Sequence, residues 1–148
     1  MLTIHAATEV RHDWDGAALG DGAVVVEGGR IAAVGTLWDL LERFPGTRVR
    51  SWPGVLGPAR VHERELPDAP TPRERVHAVL KSGATAVLER HADSPELRAA
   101  AARNDVLVLT RAPRTRLDEN ARADLAVFDE SGECIATVCA GRLVHRRR

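Results

Sequence analysis

Three residues near the middle of the chain carry side chains suited to binding an anion. Arg60, His62 and Arg64 alternate along a run that predicts a β-strand, so strand alternation places these three side chains on one face and Glu63 on the other. Guanidinium groups bind carboxylates and phosphates through paired, charge-assisted hydrogen bonds. The spacing therefore predicts a pocket for a small anionic ligand.

Further candidate ligand-binding residues follow the next two predicted strands. Functional side chains collect at the carboxyl ends of parallel strands and in the loops that follow them. By this rule the same site is predicted to include Glu89, His91 and Arg111. One alternative stays open, in which Arg64 pairs with Glu89 or Glu65 and the neighbouring arginine is simply solvated.

A second alternative is a divalent metal such as zinc, bound through His62 and His91. Two histidines with at most one carboxylate form a sparse ligand shell for such an ion. We therefore predict no cofactor, and no residue can be assigned a catalytic role.

The two cysteines are predicted to be free, packed thiols. Cys134 and Cys139 lie five residues apart in a run of strand-forming residues, and an odd spacing places side chains on opposite faces of a strand. No cysteine spacing typical of a zinc site occurs. Two reduced thiols suit a reducing compartment, so we expect a cytoplasmic protein.

The elements that must position these residues change character along the chain. Residues 1–53 alternate short strands with glycine turns and one short helix. From residue 54, strand and helix signals alternate, with helices predicted to begin at Pro72 after Thr71 and at Pro95 after Ser94. Alternating strands and helices predict parallel pairing. Residues 117–148 return to hairpins.

These patterns predict one domain of the α+β class. Residues 1–53 and 117–148 are expected to pair into a small composite β-sandwich, because neither segment alone has enough strands to bury a face. Residues 54–116 form a β/α insert of two to three parallel strands and two helices.

Three motifs in order resemble the amidohydrolase superfamily of metal-dependent hydrolases. They are Gly-Gly-Arg-Ile-Ala-Ala-Val-Gly at 28–35, Ala-Asp-Leu-Ala-Val-Phe-Asp at 123–129 and Gly-Arg-Leu-Val at 141–144. Asn120 stands where the family commonly has a glycine, and asparagine is the next-best residue for a left-handed backbone position. The nearest likeness is to the imidazolonepropionase and aminodeoxyfutalosine deaminase branch.

The resemblance implies a composite β-sandwich that, in the family, is built around a (β/α)8 metal barrel. Such a barrel needs about 250 residues, so the insert has room for its first strands alone. The family's first barrel strand ends in His-x-His, whereas this chain has His62 followed by Arg64. A guanidinium has no lone pair and repels a cation.

The resemblance therefore implies a noncatalytic composite-domain protein that binds a small anion or serves as an accessory protein. The alternative is a minimal metal-dependent hydrolase of carbon–nitrogen bonds other than peptide bonds, with its missing metal ligands supplied by a second subunit.

Composition excludes several classes of partner. The 148 residues carry 21 basic and 21 acidic side chains, for a net charge of zero, and aromatic residues make up 3%. Nucleic-acid binders normally carry a basic surplus and aromatic stacking platforms, so we predict no nucleic-acid partner. No apolar run reaches the roughly 20 residues of a membrane span.

The open edges of a three-stranded insert predict a homodimer.

Overall fold

Residues 1–147, the part of the chain that this computed structural model describes, form eleven β-strands, three α-helices and one short 3-10 helix. The strands are β1 Leu2–Arg11, β2 Ala18–Gly20, β3 Gly22–Glu27, β4 Arg30–Thr36, β5 Arg48–Pro58, β6 Arg60–His62, β7 Ala84–Leu88, β8 Leu107–Leu109, β9 Leu125–Phe128, β10 Cys134–Cys139 and β11 Arg142–Arg146. The helices are α1 Leu37–Arg43, α2 Pro72–Lys81 and α3 Pro95–Arg103, and the 3-10 helix is Glu89–His91.

The two ends of the chain form one eight-stranded sheet in the order β11-β10-β9-β5-β1-β3-β4, with β2 paired to β1. Its two halves share one apolar core, to which β3, β4, β9 and β10 contribute fully buried side chains such as Val24, Ile31 and Leu125. The predicted composite sandwich is confirmed, because β5 joins the two ends by pairing with both β1 and β9.

The insert forms a separate three-stranded parallel sheet in the order β6-β7-β8. Helices α2 and α3 pack on this sheet through a second apolar cluster that includes Val76, Val79 and Leu97. The α+β class is therefore confirmed.

Both insert helices begin where the sequence predicts. The hydroxyl oxygen of Thr71 accepts a hydrogen bond from the Glu74 amide at 3.1 Å, and that of Ser94 accepts one from the Leu97 amide at 3.1 Å. Each bond satisfies an amide that the first helical turn leaves without a backbone partner. A proline follows each cap at the first helical position, where no amide hydrogen is needed.

The run of strand-forming residues from Val55 to Glu63, which alone would predict one strand, is divided at Ala59. Residues up to Pro58 pair with β9, the Ala59 amide donates to the Asp124 carbonyl, and the Arg60 amide donates to the Gly83 carbonyl. The chain thus passes from the large sheet to the small one within two residues. This junction holds the first candidate ligand residue directly beside the sandwich.

Cys134 and Cys139 are both free and buried, as predicted, but the prediction that they lie on opposite faces is wrong. The pairing of β10 with β9 shifts register around Ile135, which adds one residue to β10. A bulge of this kind reverses the alternation of side chains. Cys134 contacts Thr137 at 3.3 Å, and the Thr137 hydroxyl donates to the Leu80 carbonyl of α2. Cys139 packs in the same apolar cluster as Leu80, so both cysteines face the insert.

Neither thiol is reactive at neutral pH. Burial raises the pKa of both groups, and it raises that of Cys139 to about 11. A protonated thiol is a poor nucleophile and a poor metal ligand. The two cysteines are therefore part of the packing.

The turn before β9 matches the prediction for Asn120, whose φ of 68° is left-handed. Its amide donates to the Ile31 carbonyl at 2.8 Å, and this hydrogen bond joins residues 117–148 to β4. Within residues 1–147, no helix combines the length and the apolar character that crossing a membrane requires.

Candidate functional site

Three of the predicted ligand residues line one depression of about 420 Å³ beside β6. We call it the arginine groove, and its lining residues are Arg60, Val61, His62, Glu63, Arg64, Ser82 and Ala84. Arg60 and His62 project from the strand and Arg64 from the loop that follows. The structure thus brings together the three side chains whose spacing first indicated an anion site.

Aromatic rings hold the guanidinium of Arg60 in place. Its central carbon lies 4.2 Å from the centroid of the Phe128 ring and 5.2 Å from that of Trp14. The two rings meet edge to face with centroids 5.4 Å apart, and the Trp14 indole Nε1 donates to the Pro58 carbonyl at 2.7 Å. Stacking of this kind attracts a cation without neutralising its charge.

Within residues 1–147, no carboxylate lies within 4.0 Å of the guanidinium nitrogens of Arg60 or Arg64. The ion pair of Arg64 with Glu89 or Glu65, left open by the sequence, is thus not formed here. Both side chains are exposed at the groove. Two positive charges therefore share one depression. Glu63, predicted on the opposite face, lines the same depression because it follows the end of β6, but it forms no ion pair with either arginine.

His62 is oriented by the backbone of its own loop. Its Nε2 lies 2.9 Å from the Glu65 carbonyl oxygen, and because a carbonyl can only accept, this nitrogen is the donor. Nδ1 is then left to interact with a ligand, as an acceptor when the ring is neutral and as a donor when it is protonated.

The other three predicted residues lie elsewhere. Glu89 and His91 belong to the 3-10 helix that follows β7, and Arg111 follows β8. None of the three lines the arginine groove. All three residues follow the carboxyl ends of β7 and β8, as predicted. The groove, however, lies along β6 and the start of β7, so these carboxyl ends do not reach it.

The donor set does not fit a metal ion held by this chain alone. His91 Nε2 already accepts a hydrogen bond from Arg90 Nε at 3.3 Å, and the position two residues after His62 carries a cation. In the described part of the chain, no three His, Cys, Asp or Glu side chains are grouped so that they could hold a metal.

Two residues of the site were not predicted from the sequence. Trp14 lies in the loop between β1 and β2 and Phe128 ends β9, so both reach Arg60 through tertiary contacts. The one available signal is composition: the chain has three Trp, two Phe and no Tyr. Two of the five aromatic residues pack around Arg60. Residue spacing cannot predict this cluster, because positions 14, 60 and 128 are far apart in the sequence.

Comparisons with known proteins match this architecture. Residues 22–46 match the family model of the bacterial imidazolonepropionase-like composite domain. No curated protein matches the sequence. The matched segment covers β3, β4 and α1, which lie in the sandwich and not at the arginine groove.

Solved structures extend the match to most of the chain. An adenosine deaminase from Xanthomonas campestris crystallised with bound zinc has a TM-score of 0.53 at 21% identity, covering 68% of this chain and 31% of that one. Escherichia coli guanine deaminase has a TM-score of 0.51 at 16% identity, covering 70% and 34%. A triazine hydrolase from Arthrobacter aurescens has a TM-score of 0.50 at 16% identity, covering 71% and 34%.

The chain spans about a third of the length of these structures, and at such identities the likeness concerns the fold. Together with the composite-domain match, it confirms the resemblance that the three motifs predict. By its fold, then, the chain resembles the amidohydrolase superfamily, through an imidazolonepropionase-like composite domain joined to a shortened β/α unit.

Proposed function

We propose that this chain is a noncatalytic composite-domain protein that binds a small anion in the arginine groove and serves an accessory role. The observation that carries the proposal is the pair Arg60 and Arg64, two guanidinium groups on one depression without a carboxylate partner in residues 1–147. We also propose a cytoplasmic location, which the two unpaired thiols support.

The two arginines favour a ligand with clustered oxygen acceptors. Arg60 is fixed by its aromatic stack, whereas Arg64 lies on a loop and can adjust to the ligand. A fixed guanidinium loses little side-chain entropy on binding, and a fork of donors matches phosphate or carboxylate oxygens. Inorganic phosphate, sulfate and a short dicarboxylate are therefore suitable probes.

A thermal-shift measurement tests this proposal. At concentrations tenfold above the dissociation constant, an anion that binds only the native state stabilises it by about 1.4 kcal/mol, which raises the Tm of a chain this long by roughly 3 to 5 °C. We expect this rise with phosphate, and we expect Arg60→Ala with Arg64→Ala to abolish it.

Arg146→Ala is the matched control, because Arg146 also stacks on an aromatic ring, 5.7 Å from the Trp52 centroid, but away from the groove. That variant should keep the phosphate response. A response equal in all three proteins would reflect general salt stabilisation and would contradict the proposal.

The second candidate function is a metal-dependent hydrolase of carbon–nitrogen bonds completed by another subunit. It is favoured by His62 on β6, which by the family resemblance corresponds to a metal-ligand position of the first barrel strand. Elemental analysis of the purified protein decides between the two. Stoichiometric zinc, iron or manganese that is lost in His62→Ala would replace our proposal with this one.

A further inference from the structure

A second depression, of about 300 Å³, lies on the other side of β6. We call it the threonine groove. Its walls are formed by the small parallel sheet, including Val61, Thr85, Ala86, Leu107 and Leu109, and by residues 113–116, 118, 121, 122 and 124 of the segment leading to β9. Arg60 and Val61 line both depressions, so β6 is the wall between them.

A β-bulge turns Thr85 toward this groove. Arg60 pairs with Ala84 and Val61 pairs with Ala86, so Thr85 is an extra residue in β7 that has no paired residue in β6. Its neighbours Ala84 and Val87 pack toward the helices. A bulge re-aims one side chain in this way, and bulges are concentrated beside functional sites.

The Thr85 hydroxyl is nearly enclosed and has no partner. The residue is 3% exposed, yet its side chain makes no hydrogen bond to any residue from 1 to 147. No side-chain oxygen or nitrogen of these residues is both unpartnered and sealed from solvent. The hydroxyl therefore remains reachable, and the threonine groove that it lines is the route.

Charges around the threonine groove cancel. Arg114 and Arg116 share Asp13 at 3.3 and 3.5 Å, and Arg116 also lies 3.4 Å from Asp118.

The third guanidinium, that of Arg122, contacts Asp124 at 2.8 Å, which makes three guanidiniums against three carboxylates. The guanidinium of Arg60 stacks on the rings of Phe128 and Trp14. The groove thus offers apolar walls and the hydroxyls of Thr85 and Thr115, and Arg60 is its one lining guanidinium without a carboxylate partner in residues 1–147.

We propose that the threonine groove binds a small uncharged molecule with an apolar body and one hydrogen-bonding group, which the Thr85 hydroxyl recognises. The volume, at the lower limit of ordinary ligand pockets, suits a molecule the size of a single substituted ring. A charged ligand would have to leave water and would meet guanidiniums that are already engaged, those of Arg114, Arg116 and Arg122 by carboxylates and that of Arg60 by two aromatic rings.

The test is a matched set of three probes, phenol, toluene and benzoate, titrated into the folded protein and followed through backbone amide shifts in two-dimensional NMR. Phenol and toluene have similar shapes and differ by one hydroxyl, whereas benzoate adds a charge. We expect phenol to bind about three- to tenfold more tightly than toluene, as one net hydrogen bond allows. Benzoate should bind most weakly, and the shifts should cluster at Thr85, Ala86 and Leu107.

Thr85→Val removes the hydroxyl and keeps the branched shape, so it should abolish the preference for phenol while leaving toluene affinity unchanged. Thr115→Val is the control, since Thr115 lines the same groove from the opposite wall. Loss of the preference in that variant instead would overturn the role of Thr85.

Equal affinity for phenol and toluene in the original protein, or shifts scattered away from the groove, would overturn the site itself. Neither result affects anion binding at the arginine groove, which the phosphate measurement tests separately.

Discussion

Arg60 shows how one residue can be selected as a candidate ligand residue from sequence while its surroundings depend on distant residues. Its alternation with His62 and Arg64 predicts a shared face, and the structure places all three on one groove. The aromatic stack that holds it comes from positions 14 and 128, which no local pattern connects to position 60. Glu89, His91 and Arg111 are predicted by a different rule, from their positions after strand ends, and they follow β7 and β8 but do not line the groove.

His5 gives a pH dependence at the residue scale. It is 3% exposed, its Nδ1 accepts a hydrogen bond from Trp52 Nε1 at 3.2 Å, and burial, with smaller contributions from Arg50 and Arg48, lowers its pKa from 6.5 to about 4. The unfolded chain binds this proton below pH 6.5, whereas the folded chain does so only below about pH 4. Stability is therefore lost as the pH falls through this window.

We expect the free energy of unfolding to fall by about 3 kcal/mol between pH 6.5 and pH 4, because each tenfold difference in proton affinity between the folded and unfolded chains corresponds to about 1.4 kcal/mol. Urea unfolding at a series of pH values measures this loss. His5→Gln should flatten the curve over that interval. His77→Gln removes an exposed imidazole from α2 and controls for the loss of a histidine. If this variant flattened the curve as much as His5→Gln, the pH dependence could not be attributed to His5.

At the scale of elements, the helices are predictable and the bulges are not. Caps at Thr71 and Ser94, each followed by proline, specify where α2 and α3 begin through local hydrogen bonds. The bulges at Thr85 and Ile135 depend on how two strands pair, and each one reverses the side-chain alternation that sequence reasoning assumes. This is why the two cysteines share a side of β10.

Gly83 joins α2 to β7 and sets how the insert meets the sandwich. Its φ is +92°, and a Cβ there would lie 2.6 Å from Cζ of Phe128, the ring under Arg60. Gly83→Ala should therefore combine backbone strain with overpacking and cost about 2 to 5 kcal/mol of stability.

Gly46→Ala separates the two effects, because Gly46 has a φ of +74° but nothing within 4 Å of the added Cβ. It should cost about 1 to 2 kcal/mol from strain alone. Equal losses in the two variants, measured by urea unfolding, would mean that the Phe128 contact contributes nothing.

At the scale of the whole molecule, the insert leaves its sheet open at β8. This strand pairs on one side with β7. The described chain has five exposed large hydrophobic residues, and two of them, Leu107 and Val108, belong to β8 and are 41% and 37% exposed. We propose that two copies associate through this edge, since an unpaired apolar strand is a template for pairing.

Light scattering across a micromolar dilution series is expected to give twice the 16.1 kDa mass of the chain. Val108→Lys should return the mass to that of one chain, because charge on an edge strand opposes pairing. Val49→Lys is the control, since Val49 is 38% exposed on β5 in the other sheet. A single-chain mass for the unaltered protein at every concentration would contradict association through β8.

Anion binding at the arginine groove is measured most directly by equilibrium dialysis with radiolabelled phosphate. We predict saturable binding of one phosphate per chain, weakened at least tenfold in Arg64→Ala and unaffected in Arg146→Ala. Loss of one charge-assisted pair of hydrogen bonds, about 1.5 to 3 kcal/mol, gives this factor. Phosphate that distributes equally across the membrane, or that binds the Arg64→Ala protein as tightly as the original, would contradict an anion site in this groove.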